Sequence, residues 1–288
     1  MYHEAINYAT KNYPFLIEHT DVKYIPHFHE ETELVYVMKG SVTITIESKS
    51  FTLKEGEICI FTPELIHNLY SHVPGKIFVM KLFPCVDIKN IRLLDNVIKK
   101  GDAFYDELLQ NIECMIKENR EKTVGYELSV NIAAEKIFLL IIRNMKHITL
   151  EKNDLVKLES QNDFLNSVTK FLEKHYADDF SLSDISKQLG YAKSYFCHYF
   201  KRITGVSFWT YYTVFRLEKS IQMMEQNPRK RYIEVSVDCG FKNIRSFNQS
   251  FKKYHHCTPS EYMKKYYMSG MVVDGTKPKN KGTIDTKN

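Results

Sequence analysis

The sequence predicts an α+β multidomain protein with an N-terminal β-barrel, a helical hairpin and an all-α C-terminal domain of two helix-turn-helix units. Three observations predict it. Apolar and polar residues alternate with period two within residues 21–85, the apolar period turns helical after Pro84, and residues 163–266 contain an internal repeat. The expected boundaries are 1–90 for the barrel, 91–150 for the hairpin, 151–162 for a linker, 163–268 for the helical domain and 269–288 for a disordered tail.

The barrel is built from short strands. In SVTITIES, Val42, Ile44 and Ile46 face one way and Thr43, Thr45 and Glu47 the other, the signature of a half-buried strand. ELVYVM, FTL and EICIF are further β-branched or aromatic runs. Lys39-Gly40, Ser48-Lys49-Ser50 and Glu55-Gly56 separate them as turn-forming clusters. Several short strands at this spacing form a small barrel or sandwich.

Helical periodicity runs from about Ile91 to Arg120 and from about Gly125 to Ile148. Leu108, Ile112, Met115 and Ile116 make one stripe; Ile132, Ile137, Leu140 and Ile141 make the next. Polar residues Glu118–Thr123 join them, so an αα-hairpin is expected. It carries more apolar surface than one hairpin buries, leaving two readings open: packing on the barrel, or a dimer interface. EKNDLVKLESQN is polar and reads as a linker, and the tail has almost no apolar content.

The repeat carries the strongest signal. Ile185-Ser186-x-x-x-Gly190-Tyr191 matches Val235-Ser236-x-x-x-Gly240-Phe241, and Phe200-Lys201-Arg202 matches Phe251-Lys252-Lys253. In each copy a small serine lets two helices cross closely, and a glycine four residues on supplies a positive φ for the turn. The second helix of the first copy buries Phe196, Tyr199, Phe200 and Ile203, at i, i+3, i+4 and i+7. It leaves Lys193, Ser194, Tyr195, Cys197, His198 and Lys201 outward. In the second copy Phe247, Phe251 and Tyr254 point inward, and Asn243, Arg245, Ser246, Asn248, Gln249 and Lys252 outward. Arg, Asn and Gln read purine edges in the major groove of double-stranded DNA, while Lys201, Arg202, Lys252 and Lys253 suit phosphates. Phe208 to Glu225 is amphipathic and is expected to join the two copies rigidly.

Charge and composition agree. Residues 161–268 hold 17 Lys and Arg against 10 Asp and Glu, whereas residues 1–160 hold 19 against 23. Only the basic third is suited to a polyanion. No apolar run reaches the 18 or so residues of a membrane span, and the N-terminus lacks a secretory pattern. The six cysteines, Cys59, Cys85, Cys114, Cys197, Cys239 and Cys257, form no CxxC and read as reduced cytosolic thiols. A cytoplasmic location and no membrane partner are expected.

The stretch SLSDISKQLGYAKSYFCHYFKRITGVSFWTYY, then FRLEKSIQMM, then IEVSVDCGFKNIRSFNQSFKKYHHCTPSEY, resembles the AraC/XylS family of bacterial transcription regulators over about residues 163–266. The resemblance implies seven helices, recognition helices at Lys193–Lys201 and Asn243–Lys252, a promoter target, an effector, a homodimer and contact with RNA polymerase. The sequence departs from the family in having Ser186 and Ser236 where alanine is usual, and His256 where glycine is expected after the second recognition helix.

HFHEETELVYVMKG places His27, His29 and Glu33 at HxHxxxE spacing, with Gly40 beyond; divalent metals take such ligands. The motif resembles the first cupin motif, and Gly56, Pro63 and His67 resemble the second with altered spacing. The N-terminal half is thus similar to the cupin-type sensor domain common in that family. The four residues His27, His29, Glu33 and His67 could hold a divalent metal, contact an effector together with Tyr24 and Tyr36, or be structural. Phe61 and Met38 would serve as pocket walls or core. No cofactor and no catalysis are expected, the rival reading being a metal-dependent cupin enzyme fused to a DNA-binding domain.

Overall fold

The computed structural model describes residues 14–19, 22–46, 49–71, 75–83 and 90–268. The predicted tail 269–288 and Cys85 lie outside the described residues. The chain forms two compact units, Met1–Arg216 and Leu217–Asn288.

The first unit opens with β1 (Phe15–His19), β2 (Lys23–His27), β3 (Thr32–Lys39), β4 (Ser41–Ile46), β5 (Lys49–Lys54), β6 (Ile58–Phe61), β7 (His67–Tyr70), β8 (Lys76–Leu82), β9 (Ile91–Leu93) and β10 (Val97–Ile98). All but β9 form a five-stranded sheet of order β1-β8-β3-β6-β10 and a four-stranded sheet of order β2-β7-β4-β5, all antiparallel. The predicted barrel is not closed: among the described residues no ladder joins the two sheets. The chain passes between the two sheets at two glycine turns. Gly40 (φ 86°) carries the chain from β3 in one sheet to β4 in the other, and Gly56 (φ 82°) carries it back from β5 to β6. These turn-forming clusters are corners between sheets.

Alternation fills both faces of the five-stranded sheet. Val35, Val37, Cys59, Phe61, Ile77 and Val79 meet Val42, Ile44, Leu53 and Leu69 of the four-stranded sheet in one core. Their neighbours Leu34, Tyr36, Ile58, Ile60, Phe78 and Met80 face the opposite way, onto α1 (Tyr105–Glu121) and α2 (Tyr126–Asn144). The hairpin therefore packs on the sheet, through Leu108, Ile112, Met115, Ile137 and Ile141. Ile132 of the predicted stripe is exposed instead, and it shares one face of α2 with exposed Leu128 and Leu139.

Two helical expectations change. Residues 91–104 are not helical: β9 pairs with β11 (His147–Thr149), and α1 begins only beyond Gly101, whose φ of 106° no helix accommodates. The predicted linker 151–162 belongs to α3 (Lys152–His175), which buries Leu158, Asn162, Leu165 and Val168 along one face. Its polar residues lie on the other side of an amphipathic helix.

The first helix-turn-helix comprises α4 (Leu182–Gln188) and α5 (Lys193–Thr204). A capping box between Ser181 and Asp184 starts α4. Gly190 (φ 77°) makes the turn, and Tyr191 N–H donates to Ser186 O. Phe196, Phe200, Ile203, Phe208, Tyr211 and Phe215 fill its core with Phe164 and Val168 of α3. α6 (Phe208–Gln226) crosses the division between the units. In the second unit the same plan recurs with α7 (Tyr232–Asp238), Gly240 (φ 76°), α8 (Ile244–His255) and α9 (Pro259–Met268), and Phe241 N–H donates to Ser236 O. Phe247 and Phe251 are fully buried there. His256 takes the left-handed conformation (φ 55°) that Gly205 takes in the first copy (φ 75°), so the histidine bears the strain expected of it.

Burial pushes the Tyr211 phenol up to about 12, against the hydroxyl of Thr169 at 3.2 Å. The unfolded phenol ionises from about pH 10, so the folded state alone keeps its proton above that point. Stability is expected to fall between about pH 10 and pH 12, with this one group contributing roughly 1 kcal/mol per pH unit. Urea titrations near the two ends of that window check it: Tyr211→Phe should lose that part of the slope. An identical slope would assign the alkaline sensitivity to other groups.

Candidate functional site

The sheet ends bring His27, His29, Glu33 and His67 together. β2 ends at His27, which pairs with His67 at the start of β7 after a register shift beyond Tyr24. Glu33 points inward from β3, on the face that carries Val35 and Val37. The imidazole centroids of His27 and His67 are 4.5 Å apart, and those of His29 and His67 5.2 Å. Phe61 stacks on His67 at 4.0 Å, and Tyr24 meets His27 edge-on at 5.7 Å. One donor atom from each of the four residues lies within 4.8 Å of the others. Their exposures are 8%, 5%, 1% and 1%, so the cluster is buried.

The hydrogen bonds fix the tautomers of His27 and His67. Nδ1 of His27 lies 2.8 Å from Ile25 O, Nδ1 of His29 3.0 Å from Glu31 O, and Nδ1 of His67 2.7 Å from Leu65 O. A carbonyl only accepts, so Nδ1 of His27 and of His67 carries a proton and donates it, whereas His29 has an acceptor at both nitrogens, Glu31 O at Nδ1 and the Glu33 carboxylate at Nε2. Each Nε2 is left for the interior. His29 Nε2 lies 2.9 Å from Glu33 Oε2, while His67 Nε2 lies 3.6 Å from Glu33 Oε1. Glu33 Oε1 and His67 Nε2 are buried without a hydrogen-bond partner.

Burial pushes the His27 imidazole well below its usual pKa, and the neighbouring His67 adds to the shift. Burial also lowers His29, against the opposing pull of Glu33. Burial would raise the Glu33 carboxyl, but His29 and His67 outweigh it and hold the group well below the usual carboxylate range. Lys81, opposite Glu33 in the β3–β8 pairing and 3% exposed, further disfavours charge on His27 and His29. The expected site set omits this lysine; its one sequence signal is a charge inside the apolar run FVMKLF.

Of the other predicted effector residues, Tyr24 belongs to this neighbourhood but Tyr36 does not. Tyr36 is three residues from Glu33, hence on the opposite face of β3, and packs in the core that includes the hairpin. Met38 lies beside that same core. A cavity of about 380 Å³ lies elsewhere in the first unit, lined in part by Phe51, Arg92, Asn96, Asp154, Lys157 and Leu158. None of the predicted effector residues lines it.

The two candidate recognition helices present the expected faces, each within its own unit. On α5, Lys193, Ser194, Tyr195, His198, Lys201 and Arg202 are exposed, and Cys197 is half-buried. Tyr191, Tyr195 and Tyr199 stack in a ladder at 5.6 and 5.5 Å, with the Arg202 guanidinium 4.9 Å from the Tyr199 ring. On α8, Arg245, Asn248, Gln249 and Lys252 are exposed. Asn243 and Ser246 are engaged locally: Asn243 Oδ1 accepts from Ser246 N–H at 2.8 Å, and the Ser246 hydroxyl donates to Asn243 O. Asn243 therefore caps α8, which leaves its side-chain NH₂ as the group for a base or phosphate.

A family model described as an AraC-like ligand binding domain matches residues 13–128, and one described as a helix-turn-helix domain matches residues 185–265. An uncharacterized HTH-type transcriptional regulator of Bacillus subtilis, YdeC, is 21% identical over 280 residues, covering 91% of this chain and 94% of the relative. The transcriptional activator RhaS of Escherichia coli is 20% identical over 244 residues, covering 82% and 86%. A solved structure of ToxT from Vibrio cholerae with a bound unsaturated fatty acid has a TM-score of 0.49 and 14% identity, covering 92% of this chain and all of that one.

Proposed function

The chain belongs to the AraC family of transcription regulators, with a helix-turn-helix DNA-binding domain and a ligand-binding domain, and from that premise we propose that α5 and α8 read promoter DNA under the control of an effector held at His27, His29, Glu33 and His67. The observation that carries the reading is the pair of exposed faces. Each helix buries its phenylalanines and turns hydrogen-bonding and basic side chains outward. Arg245, Asn248 and Gln249 suit purine edges; Lys201, Arg202 and Lys252 suit phosphates, with Lys193, Ser194, Tyr195 and His198 completing the α5 face. Selection from random-sequence DNA with the full-length protein tests it, and one enriched motif is expected. No enrichment over the starting pool would overturn sequence-specific recognition.

The regulator acts without catalysis in this reading, in the cytoplasm and together with RNA polymerase. The helix-turn-helix domain on the same chain supports that choice over an enzyme centre, because it supplies a sufficient function. The family's hairpin suggests a homodimer, and Leu128, Ile132 and Leu139 supply an exposed apolar face on α2 for it. Sedimentation is expected to give a dimer for the wild type and a monomer for Leu128→Glu with Ile132→Glu. A wild-type monomer at micromolar concentration would remove α2 as a self-association face.

A further inference from the structure

We infer that the cavity of about 380 Å³ bounded by β4 and β5, by β9 and the turn after it, and by α3 binds a compact organic dianion with an apolar body, and that filling it adjusts the first helix-turn-helix unit through α3. The site stands on the cavity's own lining; its bearing on DNA rests on the regulator reading above. None of His27, His29, Glu33 and His67 lines this cavity, so it is a second site, apart from that cluster.

The lining divides into an apolar floor and a basic rim. Val42, Ile44 and Leu53 of β4 and β5 are fully buried, whereas Ile46 and Phe51, next on the same inward faces, are half-buried and border the cavity. Leu65, Leu93 and Leu158, all buried, complete the floor. Lys49 stands opposite Ile46 in the β4–β5 ladder and two residues before Phe51, so it shares their face. Lys157 of α3 and Arg92 of β9 add two more cations, and among the described residues Asp154 is the one carboxylate in the lining. The Arg92 guanidinium is held in place: one of its nitrogens donates to Thr62 Oγ1 at 2.5 Å and to Pro63 O at 3.2 Å. Three cations against one anion leave an excess of two positive charges on the lining. A doubly charged head neutralises it, a single charge leaves half of it, and a cation is repelled. The volume lies near the lower end of the range for ligand sites, so it admits a small ring or branched chain rather than a long one. A phosphate monoester and a dicarboxylate both supply such a head.

The route to the DNA-binding helices lies entirely within the first unit. Asp154, Lys157, Leu158 and Gln161 line the cavity at i, i+3, i+4 and i+7, one stripe of α3. The same stripe continues through Leu165, Val168 and Leu172, which share a core with Phe196 and Phe200 of α5. The ligand and the first helix-turn-helix unit thus bear on one face of one helix. Between them lies a polar clasp. Asn162, the residue after the last lining position, donates its side-chain NH₂ to Glu64 O at 3.2 Å and to the Glu64 carboxylate at 2.7 Å. Glu64, next to Leu65 of the floor, holds a φ of 65°, a strained conformation for a side chain of its kind. The clasp pins α3 at one point, so a ligand seated N-terminal to it tilts the segment that follows.

The test is calorimetric titration of the full-length protein with phenyl phosphate and with phenylsuccinate, at matched ionic strength. Benzyl alcohol serves as the body without the head, and inorganic phosphate as the head without the body. At least one of the two dianions is expected to saturate one site per chain with a millimolar or tighter Kd, and the two fragments to bind about tenfold more weakly or not at all. Saturation by phenyl phosphate alone assigns the head to a phosphate ester, and by phenylsuccinate alone to a dicarboxylate. Lys49→Ala and Lys157→Ala, both at exposed positions, should each raise Kd about fivefold or more, and Asp154→Asn should lower it. Lys170→Ala, exposed on α3 outside the lining, should leave it unchanged. No saturation by either dianion, equal binding of benzyl alcohol, or indifference to the two lysine variants and Asp154→Asn overturns the site, while DNA selection by that protein leaves the regulator reading intact. The saturating dianion should change affinity for the selected DNA by about fivefold or more, and Asn162→Ala should keep the dianion and lose much of that change. A bound dianion with no effect on DNA affinity overturns the coupling. A bound dianion in a protein that selects no DNA sequence counts against the regulator reading instead.

Discussion

Phe200→Ala is expected to lower the stability of the first unit by about 3–5 kcal/mol, the usual range for truncating a fully buried aromatic. Phe200 is fully buried, with Phe208 and Tyr211 edge-on at 5.6 and 5.3 Å and Phe164 and Phe196 further out at 6.4 and 6.1 Å. Its removal leaves a void between α5, α6 and α3, and aromatic rings on three elements cannot all collapse into it. The exposed face of α5 depends on that packing, so DNA binding should fail at temperatures where the wild type still binds. Urea denaturation reads the stability change as a lower midpoint with little change in slope. A loss below about 1 kcal/mol would show that α5 is held by something other than this aromatic core.

Arg245→Ala is expected to weaken binding to the selected DNA site by about 1–3 kcal/mol, roughly five- to 150-fold. Arg245 is exposed in the first turn of α8, one residue beyond its start at Ile244. A guanidinium there is long enough to pair with a guanine edge through two parallel N–H groups. The loss should be confined to one base position, so that a changed base there costs the variant little. Lys252→Ala, by contrast, should weaken every sequence alike and reduce the salt slope by about one. Gel shifts across a series of mutated sites separate the two outcomes, and an Arg245→Ala variant with unchanged affinity would remove Arg245 from the base-reading set.

What the sequence makes legible follows from how local each signal is. The helix-turn-helix units are readable because their determinants lie within about twenty residues. Ser186 and Gly190, Phe196 and Phe200 carry their meaning in their spacing, and so do their second copies. His27, His29, Glu33 and His67 are nameable because HxHxxxE is compact, although a register shift in β2 and a break at residues 28–31 separate the motif from a simple strand. Tyr36 falls outside the site because apolar character does not tell which face of a doubly covered sheet a residue joins; parity counted from Glu33 places it correctly. The stretch 91–104 mimics a helix because Ile91, Leu93, Val97 and Ile98 fit either period. Glu64, Asn162 and Lys81 are illegible for a different reason. Their roles are set by partners 98 residues apart in one case and by strand pairing in the other.

α3 gives the connection between the sheets and the first helix-turn-helix unit a property that a polar linker would lack. A flexible tether transmits only reach: adding a residue lengthens it and little else. A continuous helix of 24 residues transmits angle. Each inserted residue advances it by about 1.5 Å and turns everything beyond by about 100°, and only after about seven residues is the original bearing nearly restored. Insertions between Leu155 and Leu158 should therefore be tolerated or refused according to their phase around the helix axis, with one added residue more harmful than seven.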